Sequence, residues 1–335
     1  MTPLKGGNIN AIKALKWPQH LRSPNELVQA LKLETKLRII RSPLCSKLVL
    51  QFIGGWAHIL AHVLNKTHVH NWNVFNQELR LIEGLQADEH THGQDGHQDK
   101  SRRKIRAPLI TLSNHISCID DPVLWGALLP FSYYYFKTDS VRWSAAAVDI
   151  CFSKPWHSTF FALGKTFPII RGVGLEQPAM DYASALLRHN EWLHLFPEGR
   201  VMRDQDQKMI SNRDRGYIFK WGAAKLILDH FKHPGHSIGS EIRILPFYHL
   251  GMDKILPIGR PYLPRFGHKM TIYIRSSPIN FDSKLLDTIL KTRTLSAQVG
   301  KSRSNDELMR IKVTNFLEEE MEKLIEPATL LHGVE

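Results

Sequence analysis

The chain has 335 residues, 43% hydrophobic and 23% charged, with 44 Lys+Arg against 32 Asp+Glu and a formal charge of +12. That length and apolar content suit one large domain or two small ones with a sizeable core, and exclude a disordered, collagen-like or low-complexity chain. Three scattered cysteines (Cys45, Cys118, Cys151) without a CxxC pair exclude a disulfide-stapled scaffold and a zinc ribbon, and the basic excess calls for a negatively charged partner: nucleic acid, an anionic bilayer surface or a phosphate-bearing substrate.

Residues 1–42 hold eight Lys/Arg and two acids, half of the whole excess in the first eighth of the chain. No apolar run follows the early basic residues, which argues against a secretory signal. Ser23-Pro24-Asn25-Glu26 reads as a capping box with Pro at the first helical position, opening a helix that carries Leu27, Leu31, Ile39 and Ile40 among Lys and Arg. Such a basic amphipathic helix suits a mitochondrial presequence, a membrane-surface segment, or a solvated helix packed on its own domain.

Residues 43–65 follow as the most apolar stretch, roughly as long as the ~20 residues that cross a bilayer core. Lys47, Gln51, Gly54/Gly55, His58, His62 and Asn65 recur every three or four positions and form one polar stripe on a helix. The pattern predicts a monotopic helix lying in the membrane plane, its stripe turned to headgroups or to its own domain. Leu48, Phe52, Ile53, Trp56, Ile59, Leu60 and Val63 then enter the acyl layer. A buried core helix and a true span are the alternatives. His58 and His62 stand four apart without a third candidate ligand nearby, so no metal site is expected there.

Residues 85–106 are polar and without apolar periodicity, a loop or disordered insert. From residue 66 to 335 the chain reads as one α/β domain carrying that insert. Strands are expected at Pro108 to Ser113, Trp192 to Phe196, Ile242 to Tyr248 and Met270 to Ile274; helices are expected at Pro122 to Leu129, Ala179 to His189, Gly216 to Phe231 and Asp306 to Ile325. The fold class is a mixed sheet flanked by helices, in which ligands sit outside the strand ends.

The first of these strands ends in Asn114-His115-Ile116-Ser117-Cys118-Ile119-Asp120-Asp121-Pro122. His115 and Asp120 would lie about 140° apart on an ideal helix, so they do not share a helical face. With Asp121 as N-cap and Pro122 as the first helical residue, the turn before the helix can fold Asp120 back onto His115. An Asp in that place fixes the imidazole tautomer and leaves the other ring nitrogen to take a proton from a hydroxyl. Taken alone, a strand-end His near an Asp is more often a structural hydrogen bond than a catalytic pair.

Three further motifs follow in order: Gly164-Lys165-Thr166-Phe167-Pro168-Ile169-Ile170-Arg171, Phe196-Pro197-Glu198-Gly199 and Leu245-Pro246-Phe247-Tyr248. Together with NH-x4-D, this set resembles the four motifs of the glycerolipid acyltransferases. The runs around them (NHISCIDDPVLWG, LHLFPEGRV, FKWGAAKLI, the His249 to Asp253 run HLGMD, and GRPYLPRFGHKMTIYI) resemble the tafazzin branch of that family, over roughly Pro43 to Phe281. The resemblance implies a mitochondrial phospholipid–lysophospholipid transacylase that remodels cardiolipin on membranes facing the intermembrane space, with phosphatidylcholine among its lipids. It makes His115 the general base and Asp120 its orienting partner. Asn114, Ser117, Arg171, Phe196, Pro197, Glu198 and Gly199 become substrate-binding residues, Arg171 holding a lipid phosphate with its guanidinium fork.

Transacylation needs neither coenzyme A nor a metal, so no cofactor is expected. The same motifs would equally serve an acyl-CoA-dependent lysophospholipid or glycerol-phosphate acyltransferase, and a non-catalytic anionic-lipid-binding protein is the third reading. No helix-turn-helix, RNP-like or zinc module accompanies the charge, so nucleic acid is not the expected partner. His194 and His249, also near strand ends, match no catalytic position and are taken as structural.

Overall fold

The computed structural model describes residues 43–83, 108–202, 219–232, 241–259, 263–292 and 304–334; the basic leader, its capping box and the polar insert lie outside them. Eight strands form one sheet: β1 (Lys66–His70), β2 (Leu109–Ser113), β3 (Trp143–Ala147), β4 (Thr166–Ile169), β5 (Trp192–Leu195), β6 (Ile242–Leu250), β7 (Lys269–Ile274) and β8 (Ile279–Phe281). The helices in the first half are α1 (Pro43–His58), α2 (Trp72–Ile82), α3 (Asp120–Leu128), α4 (Tyr133–Phe136), α5 (Val148–Cys151) and α6 (Pro155–Leu163). In the second half they are α7 (Pro178–Arg188), α8 (Gly222–Lys232), α9 (Met252–Ile255), α10 (Ser283–Thr292), α11 (Asn305–Glu322) and α12 (Ile325–Val334).

The strand order is β1-β7-β6-β2-β5-β3-β4, with β8 also on β6. Strands β6, β2, β5, β3 and β4 are mutually parallel, while β7 and β8 run antiparallel to β6. This is the expected mixed α/β sheet. Because side chains alternate across a strand, Ile110 and Leu112 point to one face and Leu109 to the other. The first face packs against α7, α8 and α11 through Ala183, Leu187, Ala224, Ile227 and Leu317. The second packs against α1, α2 and α3 through Leu60, Phe75, Leu79, Leu124 and Trp125. Four parallel strands that carry sequence motifs therefore end on one edge of the sheet.

Helix α1 continues into a wider turn over Ile59–Val63, closed by the i→i+5 bond from Leu64 N to Ile59 O. Among the described residues, Leu44–Val63 is the one helix long and apolar enough to cross a membrane by length and composition. Its polar stripe meets the domain in part: Gly54 and Asn65 are buried, His58 Nδ1 lies 3.1 Å from Gly126 O and His62 Nε2 3.2 Å from Ala127 O, while Lys47 stays exposed. Gly126 makes this approach possible, since a Cβ there would collide with the backbone of Ala57 and His58. Leu48, Phe52, Trp56, Ile59 and Val63 stay exposed, Phe52 and Val63 at 71% each. Leu60 departs from expectation. It is buried in the core, because it stands three residues after the fully buried Ala57 and so falls beside the face that packs on the domain, and Ile53 is half-buried beside Gly164.

Two boundaries also differ. Helix α3 begins at Asp120, with Ile119 before it and no side-chain cap, so Asp121 is not the N-cap. Asp121 instead ties α3 to β3, accepting from Ser144 Oγ at 2.6 Å and Trp125 Nε1 at 3.0 Å and pairing with Arg142. The C-terminal helical stretch is two helices, α11 and α12. A capping box at Ser304 and Glu307 opens α11.

Candidate active site

Strand β2 lies between β5 and β6, and its main chain leaves the sheet after Ser113. Asn114 shows how. Its side-chain amide continues the ladder in place of a peptide unit, donating from Nδ2 to His249 O and accepting at Oδ1 from His249 N, both at 2.9 Å. The backbone is thereby free to turn outward and present His115.

His115 Nδ1 lies 2.8 Å from Asp120 Oδ2, and the same oxygen accepts the amides of Ile116 at 2.7 Å and Ser117 at 2.9 Å. Asp120 is 0% exposed and the His115 side chain 19% exposed. A carboxylate oxygen cannot donate, so Nδ1 carries the proton and Nε2 is the nitrogen left to act as base. The His115 ring stacks on Phe196 at 4.1 Å between centroids, tilted by 22°.

The loop after β5 fixes the backbone of His115 from the other side. Glu198 Oε2 accepts His115 N at 2.7 Å, and Met202 N donates to His115 O at 2.7 Å. Glu198 is 5% exposed, and burial pushes its carboxyl up to about 8 although the bond from His115 N opposes this. Gly199 occupies the left-handed region at φ 69°, which lets the loop reverse directly after Glu198.

Below the site a polar chain runs through the core. Trp192 Nε1 donates to Thr111 Oγ1 at 2.9 Å, and Thr111 Oγ1 lies 3.0 Å from His194 Nδ1. Ser113 Oγ lies 3.4 Å from His194 Nε2 and donates to Asn114 O at 3.1 Å. Burial drives His194 down to about 3 and also lowers His249, so both rings are neutral at physiological pH.

The residues expected at the site divide into three groups. His115, Asp120, Phe196 and Glu198 come together, with Gly199 at their edge. Asn114 and Ser117 are both buried beside them: the Asn114 amide is engaged by His249, and Ser117 donates its hydroxyl to Leu256 O at 2.8 Å. Pro197 is likewise buried, its carbonyl accepting Lys220 N at 2.7 Å. Arg171 follows β4, three strands from β2, a lateral offset on the order of 14 Å at the usual strand spacing. Its guanidinium is 46% exposed and pairs with Asp149 of α5. Cys118 and Cys151 are poor nucleophiles, since burial first and neighbouring carboxylates second push both thiols up, Cys151 to about 11. Among the described residues no His/Cys/Asp/Glu group could hold a metal ion.

Two contributions escape motif reading. Glu198 acts on the backbone of His115 from 83 residues away, and Asp149 is the partner of Arg171. The signal for Asp149 was present in the run Ala145 to Phe152, where an acid follows three alanines, but nothing in that run names its partner.

The Acyltransferase family model matches residues 92–249. Tafazzin of Drosophila melanogaster is 32% identical over 279 residues, which cover 83% of this chain and 62% of the fly protein, so the chain spans under two thirds of that relative's length. Taffazin of Dictyostelium discoideum is 32% identical over 241 residues, covering 68% of this chain and 75% of that protein. The N-acylphosphatidylethanolamine synthase of Arabidopsis thaliana is 32% identical over 243 residues, with 71% and 72% covered.

Proposed function

This chain belongs to the tafazzin branch of the acyltransferase family, and from that premise we propose that it moves an acyl chain from a phospholipid to a lysophospholipid, remodelling cardiolipin with His115 as general base. The carrying observation is the His115 Nδ1 to Asp120 Oδ2 bond of 2.8 Å made by a buried carboxylate. Nε2 takes the proton of the lysolipid hydroxyl while its oxygen attacks the donor's ester carbonyl. The tetrahedral intermediate then expels the donor's glycerol oxygen, which recovers the proton from Nε2. Asp120 stabilises the imidazolium between the two steps. One ester bond forms and one breaks, so the exchange needs no coenzyme A and no metal.

Arg171 stands too far across the sheet edge for the reacting ester and suits a headgroup phosphate, which would displace the Asp149 carboxylate. The exposed row of Leu48, Phe52, Trp56 and Ile59 supports an in-plane attachment of α1 to the bilayer. We place the protein on mitochondrial membranes facing the intermembrane space, with phosphatidylcholine as donor and monolysocardiolipin as acceptor.

A second reading rests on the Arabidopsis relative, whose name specifies acylation of an amine and which is as similar as the tafazzins. Purified protein given vesicles of acyl-labelled phosphatidylcholine, monolysocardiolipin and phosphatidylethanolamine separates the two. The proposal predicts label in cardiolipin without coenzyme A; label confined to phosphatidylethanolamine, or transfer only from added acyl-CoA, would replace it.

A further inference from the structure

The geometry points to His249 as a positioning residue for the His115–Asp120 pair, an inference that rests on the reading of His115 as base. His249 lies on β6, 0% exposed, 135 residues from Asn114 and outside the NH-x4-D motif. Its ring Nε2 lies 2.8 Å from Asn114 O. A carbonyl only accepts, so Nε2 bears the proton, and Nδ1 is a bare, buried acceptor without a hydrogen-bond partner among the described residues. This bond holds the peptide that directly precedes His115. The same residue's main chain engages the Asn114 amide at both ends. Three bonds from His249 thus fix the point where β2 leaves the sheet.

The ring also meets Asp120, Nε2 lying 3.7 Å from Oδ2. That separation is too long for a hydrogen bond, and a neutral ring forms no ion pair. Asp120 Oδ2 already accepts from His115, Ile116 and Ser117. The neutral ring therefore closes the space beside the carboxylate without competing with His115 for its charge. A second imidazolium there would share that charge and leave two cations about one carboxylate.

Side-chain reach supplies the test. The terminal nitrogen of Gln can occupy the place of Nε2, whereas that of Asn falls near Nδ1 and cannot reach Asn114 O. His249→Gln is expected to keep kcat within about threefold of wild type. His249→Asn and His249→Ala should lower it by about 10- to 100-fold with KM within about twofold, as a misplaced base costs on the order of 100-fold. Thermal melts give the folded fraction by which each kcat is divided. Equal kcat per folded molecule in the Gln and Asn variants, whether both high or both low, overturns the inference. A His115→Ala control keeps the two ideas apart: if it is inactive while His249→Asn works normally, only the role of His249 falls; if it is active, the base assignment falls.

Discussion

At the scale of residues, the site separates the proposed base, His115, from the groups that hold it in place. Glu198 belongs to the second kind, because its carboxylate is spent on the His115 amide. Its acceptor oxygen matters more than its charge, so Glu198→Gln should keep activity within about threefold, whereas Glu198→Ala should lose at least about tenfold by leaving a buried N–H unpaired. The pH dependence has a definite sign. Burial raises the folded carboxyl to about 8, above its ordinary 4.5, so between these values the native state holds a proton that the unfolded chain releases. Glu198 therefore costs stability progressively as pH rises from about 4.5 to 8. Urea midpoints should show Glu198→Gln gaining on wild type across that window and levelling off above it; a difference that stays flat would mean the carboxyl is not held protonated.

His115 and Asp120 were legible in the sequence because they stand five apart, and a short turn brings them together whatever the rest of the fold does. Glu198 and His249 reach the same loop from 83 and 135 residues away. Their contacts exist only because β2 is flanked by β5 and β6, a fact of strand order that no local pattern contains. Ser117 has a partner that the sequence does not announce, for a related reason: the packing of Leu256 against the loop engages its hydroxyl.

At the scale of elements, α1 joins the globular body to the surface proposed to meet the bilayer. Its inner side depends on close approach at Gly126, where any Cβ meets the main chain of Ala57 and His58. Gly126→Ala should destabilise by about 1–3 kcal/mol, the usual cost of overpacking, and be read as a lower Tm; an unchanged Tm would show that α1 is loosely seated. Its outer side is a row of apolar residues with Phe52 and Val63 at the extremes. The double variant Phe52→Asp with Val63→Asp should keep its fold but co-sediment far less with cardiolipin-containing vesicles. Undiminished binding would remove α1 from the membrane contact.

The elements themselves were unevenly readable. Strands β2, β5, β6 and β7 are apolar runs and stand out. The edge strand β1 reads Lys-Thr-His-Val-His, with nothing to mark it as strand except its pairing with β7. The polar stripe of α1 was legible from its spacing, and the burial of Leu60 was not, because an apolar residue at the flank of the packed face suits either the core or an outer surface until the neighbouring elements are placed.

At the scale of the molecule, the parallel order β6-β2-β5-β3-β4 carries the four motifs to one sheet edge, with His115 near the centre and Arg171 at the rim. Acid stability is also a property of the whole. Burial holds His194 near 3 and lowers His249, His62 and His332. These rings take up protons in the unfolded chain below about 6.5 before they do so when folded, so their contribution is lost as pH falls. Glu198 and Asp181, both raised chiefly by burial, work in the opposite sense. The histidines are more numerous, and the urea midpoint should drop between pH 7 and pH 5, more steeply in Glu198→Gln; a midpoint that rises on acidification would contradict this balance.

The most direct measurement is acyl exchange between labelled phosphatidylcholine and monolysocardiolipin, run without coenzyme A, on wild type and His115→Ala bound equally to the same vesicles. The account predicts labelled cardiolipin from wild type and none above background from the variant. Exchange that survives the loss of His115 would contradict it.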